Sequence, residues 1–242
     1  MTTVLAHRKY RLASRLAYDT ARTFGLYAVV AFAALLAASV VWREITGEYE
    51  SFAQLVLFAV PLIVIVIAWV HLSKSYPLGI AGGLTRREFL TAYALFGLAT
   101  VLVTAGLTQL GLMVDGRFAA ARGAEPGMGF YGLAALEAVV RPALYFACGA
   151  AAAAAKLRFR STRIGVALSA LIVVAVVYRQ VAYYAVMKAL GMENGSADGS
   201  VFEYPLVDLS AIHPYLDLVL AVAFTLTAWA LLARAPMPPK RA

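Results

Sequence analysis

Six long apolar stretches divide this chain, and its basic residues gather in every second gap between them. An α-helix of about 20 residues is roughly 30 Å long, the thickness of a bilayer's hydrocarbon core. Backbone polar groups find no water at that depth, so each stretch predicts a helix. The spans read as Thr23–Trp42, Phe52–Leu72, Phe89–Val114, Phe130–Ala155, Ile164–Val186 and Tyr215–Leu232. The fold class is therefore an all-α polytopic membrane protein of six transmembrane helices. Only 14% of the residues are charged and 62% are hydrophobic; a soluble domain carries about 25% charged residues. The 242 residues divide into a segment 1–22, a membrane domain 23–234 and a tail 235–242, with no room for a second folded unit.

Charge sets the threading. Arg8, Lys9, Arg11, Arg15 and Arg22 precede the first span, and Lys74, Arg86 and Arg87 fill the second gap. Lys156, Arg158, Arg160 and Arg163 fill the fourth, and Arg234, Lys240 and Arg241 follow the last span. The other gaps hold Arg43, Arg117, Arg122 and Lys188, together with Glu44, Glu48, Glu50, Glu193, Asp198, Glu203 and Asp208. Fifteen cations against four place both termini in the cytoplasm by the positive-inside rule. The net charge of +8 is thus orienting charge at span ends, which argues against nucleic acid as a partner. Trp42, Tyr131, Tyr183, Tyr184 and Tyr215 fall at outer span ends and Trp69 and Trp229 toward inner ones, as interfacial belts do. Abundant alanine and an excess of arginine over lysine suit a bacterial, GC-rich source, and so a bacterial plasma membrane. The first apolar run lacks a cleavage site after a short core and reads as an anchor, not a removed signal.

Two flanking segments stay open. Thr3 to Thr20 reads as a basic amphipathic helix, with Leu5, Leu12 and Leu16 on one face and Arg8, Lys9, Arg11 and Arg15 largely elsewhere. Such a helix rests on an anionic leaflet; the other reading is a basic tail that only sets orientation. Residues 188–212 form the longest gap, broken by Gly191, Gly195, Gly199 and Pro205, and Val201–Ile212 reads as a short surface helix or a plain loop. Pro236, Pro238 and Pro239 end the last helix.

Catalytic signals are thin. His7, His71 and His213 are scattered without metal-ligand spacing, and Ser210, His213, Asp208 and Asp217 make no more than a chance assembly in an outer segment. Cys148, the one cysteine, excludes an intrachain disulfide and a cysteine-based zinc cluster, and reads as a buried thiol. No Gly-x-x-x-x-Gly-Lys-Ser/Thr and no Gly-x-Ser-x-Gly occurs. No catalytic, cofactor-binding or metal-binding residue is expected. Charges inside spans are the exception. Glu137 and Arg141, four apart, share a face of the fourth span, and Arg179 lies in the fifth. An ion network of Glu137, Arg141 and Arg179 in the outer third of the bilayer is expected, as a structural clamp or as the polar lining of an exit cavity. Pro142 beside Arg141 frees a helix carbonyl there. The alanines after Gly149, and the Gly165–Ser169 pair, are close-packing faces.

The second cytoplasmic gap is the most telling local stretch. Pro77 and the glycines after it break the span. Thr85 with Glu88 three residues on makes a capping box that starts the third span. On physics alone this is a tight turn with orienting charge. The segment Gly83-Leu84-Thr85-Arg86-Arg87-Glu88-Phe89 also resembles the cytoplasmic loop after the second span of bacterial ABC transporter permeases of the ABC-2 type. That resemblance implies a coupling helix docking on a separate ABC ATPase, which would bind the ATP, and a second permease chain, identical or paralogous. Arg86 and Arg87 would meet acidic surface on the ATPase, with the Lys156–Arg163 turn as a second contact. Export of an apolar or amphipathic compound is what it favours; the individual substrate is not legible. The rival expectation is a six-span membrane protein without transport, such as an assembly, immunity or sensor subunit.

Overall fold

The computed structural model describes residues 2–121, 135–159, 162–179, 181 and 209–235. Among them every regular element is a helix: α1 (Thr2–Thr20), a π-helical turn (Ala21–Gly25), α2 (Leu26–Thr46), α3 (Ala53–Ala81), α4 (Arg86–Ala120), α5 (Ala135–Arg158), α6 (Thr162–Val177) and α7 (Leu209–Ala233). Five stretches are long and apolar enough to cross a membrane: Arg8–Thr46, Ala53–Ala81, Arg86–Ala120, Leu136–Arg158 and His213–Ala233. The fifth expected span, Ile164–Val186, holds the shorter apolar helix Arg163–Val177. Most of its remaining residues, like 188–208 and the tail 236–242, lie outside the described residues.

Helix ends differ from the sequence reading in several places; α7 starts at Leu209, six residues before Tyr215, and carries Pro214 within it. α3 does not stop near Leu72 but runs to Ala81 and carries Pro77 within it. Its true stop is Gly83, whose φ of 83° suits a residue without Cβ. There Leu84 N–H bonds Gly79 O and Gly83 N–H bonds Ile80 O, the paired bonds of a Schellman end. α4 outruns Val114 to reach Ala120; its 35 residues make about 52 Å of helix, longer than a bilayer's hydrocarbon core. α1 is not a separate segment, because the π turn Ala21–Gly25 carries the helix on into α2. Nor does α1 splay from the bundle: it packs along α4, with Ala13, Leu16 and Thr20 buried and Arg8, Arg11 and Arg15 outward.

α5 is the hub, packed on α3, α6 and α7. Its alanines from Ala150 to Ala155 are all buried. Gly149 shows why small residues are needed, since a Cβ there would stand 2.3 Å from Ile65 O on α3. Ser169 on α6 ties its neighbour by donating to Ala152 O at 2.6 Å, with Gly165 O also in range at 2.7 Å. Phe89, Tyr93 and Phe96 on α4 stack with Phe146 on α5 in one aromatic cluster. α2 stands apart. Ser39 is its one buried residue, and Tyr27 and Ile45 are more than 70% exposed, as suits a helix turned to lipid.

Candidate functional site

The hairpin between α3 and α4 is built from two interlocking ends. Thr85 takes the extended conformation of an N-cap; its Oγ1 accepts from Glu88 N–H at 3.2 Å, and Thr85 N–H donates to Glu88 Oε2 at 2.9 Å. The capping box expected from sequence is present, and it fixes where the next two arginines point. They part company. Arg86 turns inward and donates to Ala233 O and, at 2.8 Å, to Ala235 O at the end of α7. Tyr76, about two turns before Gly83, donates to Leu232 O at 3.2 Å. Carbonyls at the end of α7, which lack intrahelical partners, are thus capped from the hairpin, and a guanidinium sits favourably at the negative end of a helix dipole. Arg87 stays exposed, as do Gly82, Gly83 and Thr85; Leu84 and Glu88 are half-buried and Phe89 is fully buried. Arg8 and Lys9 on α1 lie close enough to act on the Glu88 carboxylate, so the hairpin's surroundings are basic.

The expected network of three intramembrane charges resolves into two separate pairs. Arg141 donates to Glu137 one turn earlier on α5, and both side chains are partly exposed. Arg179 takes a partner that sequence reasoning left in the outer segment: Asp217 on α7. Its Nε and Nη2 reach the two carboxylate oxygens at 2.8 and 3.0 Å, a fork-on-fork contact. Nη1 donates to Tyr145 Oη at 2.9 Å and to Val176 O at 3.0 Å. Arg179 and Asp217 are 5% and 4% exposed, so this pair is sealed and Glu137–Arg141 is not. Asp217 is the third residue of the last expected span, and an acid at such a position signals that a partner exists without naming it.

A third polar cluster, not anticipated, closes the far end. Asp115 on α4 is fully buried and accepts from Ser51 Oγ at 2.6 Å and Tyr49 Oη at 3.1 Å, both in the α2–α3 loop. Ser39 Oγ accepts from Phe52 N–H at 2.8 Å beside it. Cys148 is buried as expected. No family model, no curated protein and no solved structure matches the chain.

Proposed function

We propose that this chain is the membrane subunit of an ABC-2-like transporter, six spans with both termini in the cytoplasm, worked by a separate ATPase that docks on the hairpin Gly83–Phe89. The observation that carries this reading is the latch between Arg86 and the end of α7. A hairpin that only turned the chain would not need to hold another span. Through the latch, a push on the hairpin reaches α7, and Asp217 passes it to α6 through Arg179. Arg87, exposed beside Arg8 and Lys9, supplies the charge that an acidic ATPase surface would meet, and such charge sets orientation and encounter rate. The outward cations of α1 rest on the headgroups of an anionic leaflet. An apolar or amphipathic compound is the cargo class, and a second permease chain completes the pathway.

The test is to purify the tagged chain from its host and ask which proteins come with it. A P-loop ATPase is the expected companion. Arg87→Glu should lower its recovery about ten-fold or more, since like charges across an interface cost several kcal/mol. Arg86→Gln should leave recovery largely intact but uncouple ATP hydrolysis from transport. If no ATPase accompanies the wild-type chain, the rival stands: a non-transport subunit in which Arg86 is purely a structural latch. That use of Arg86 within the chain is the observation favouring the rival.

A further inference from the structure

The first membrane helix stands away from α4 along much of its length. α1 packs on α4 and α2 rests on α3, so a cleft of about 290 Å³ opens between α2 and α4 with α3 as its floor. At one end Thr20 Oγ1 meets His71 Nε2 at 2.8 Å, and His71 lies edge-on to Phe96. At the other, Gly111 lies against Leu57 and Phe32. On α4 the walls run from Ala99 to Val114, about 22 Å of helix. Apart from a few threonine hydroxyls, the walls are alkyl and aromatic. Of those threonines, Thr20 and Thr100 are already satisfied by the carbonyls of Leu16 and Phe96.

Water has too few partners to fill such a space. An empty cleft of this size, room for roughly ten water-sized groups, forfeits the contacts of its lining. It opens sideways between helices whose outward residues are Val29, Val30, Leu102 and Val103, each at least half exposed. At that depth the substance next to the opening is lipid hydrocarbon.

The rim says which lipid. Ala21, Gly25 and Val29 border the cleft and also a shallow dish that includes Tyr18 and Arg22. Arg11, Arg15, Tyr18 and Arg22 fall on one helical stripe, all exposed. Arg22 makes no hydrogen bond or ion pair with the described residues, and Arg15 has only a loose contact with Asp19 at 3.9 Å. An unpaired guanidinium at the level where the apolar walls begin is placed for a phosphate.

We propose that the cleft between α2, α3 and α4 binds one anionic phospholipid from the leaflet on the side of α1, an acyl chain between the helices and the headgroup on Arg22 and Arg15. The site stands apart from transport and needs no ATPase. Chain insertion alone is indifferent to headgroup, because lipid tails are as apolar as the cleft. Preference comes from the cations, each strengthening attachment to anionic lipid roughly five-fold.

The full-length chain is exchanged into mixed vesicles of phosphatidylglycerol and phosphatidylcholine with identical acyl chains, extracted, and weighed intact by native mass spectrometry. One retained phosphatidylglycerol per chain, preferred about ten-fold or more, is the expected result. Arg15→Gln with Arg22→Gln should erase the preference while a lipid is still retained. Ala28→Phe and, separately, Thr104→Phe fill the cleft from opposite walls, and each should abolish retention in protein that still elutes as a sharp peak with unchanged helical content. Equal retention of the two lipids by the wild type overturns the proposal. So does undiminished retention in whichever filled variant folds. So does a wild-type dimer that the filling variants dissociate, which would make a second copy of this chain the occupant.

Discussion

At the scale of single residues, the Arg179–Asp217 and Glu137–Arg141 pairs make opposite predictions. Arg179 and Asp217 are sealed from solvent and joined by two hydrogen bonds. Asp217→Asn leaves a buried guanidinium without its counter-charge, and breaking a buried pair costs about 3–5 kcal/mol. Arg179→Met together with Asp217→Leu removes both charges and should come back to within about 1 kcal/mol of the wild type, or exceed it. Unfolding in mixed detergent micelles measures both, and a double variant as weak as the single one would show that shape, not charge, is what α6 and α7 share. Glu137→Gln touches a pair whose side chains are 25% and 33% exposed, so its loss should be within about 1 kcal/mol in the same assay. The sequence announced Arg141's partner because a spacing of four needs only helix periodicity. It hid Arg179's partner because residues 179 and 217 meet only through the packing of two helices on α5, which one chain read alone does not reveal.

At the scale of elements, the start of α4 was more legible than the end of α3. Thr85 and Glu88 specify a start locally, and α4 begins where they say. The end of α3 was read one proline too early, since Pro77 is carried near the helix end and Gly83 makes the stop. α1 and α2 merge because nothing at Ala21–Gly25 forbids helix; the chain stays helical there through a single π turn. Close packing gives a sharper prediction. A Cβ on Gly97 would meet the Phe146 ring at 2.5 Å, and one on Gly149 would meet Ile65 O at 2.3 Å. A ring can rotate away, whereas a carbonyl belongs to the backbone of α3. Gly149→Ala should therefore force α3 and α5 apart and cost more than Gly97→Ala, by about 1–3 kcal/mol. Equal losses in thermal unfolding would mean that α3 shifts as freely as a side chain. At Gly83 the space is open, so Gly83→Ala should cost about 1 kcal/mol through its left-handed backbone alone.

At the scale of the whole molecule, the charge asymmetry and the packing follow one axis, along the length of α4. The basic gaps lie with α1, the α3–α4 hairpin and the α5–α6 turn, while the acids Glu44 and Glu48 lie at the far end of α2. The polar clusters fall the same way: the Arg86 latch joins the hairpin to the end of α7, and the Asp115 cluster joins the α2–α3 loop to α4. α4 runs between them, about 43 Å from Arg86 to Asp115 at helical rise, longer than the hydrocarbon core. The two clusters therefore sit toward opposite ends of α4, and labelling tests whether those ends lie on opposite sides of a membrane and which is inside. Cys148 is fully buried and contributes no background, so single cysteines can be added to the native chain. Ser14 within α1 and Glu48 just past the end of α2 are both exposed and flank the apolar part of the α1–α2 helix. With a membrane-impermeant maleimide on intact cells, Glu48→Cys should react at once and Ser14→Cys only after permeabilisation. The reverse pattern would put the hairpin outside, where no cytoplasmic ATPase could reach Arg87. Reaction of both in intact cells would mean that the α1–α2 helix does not cross the bilayer.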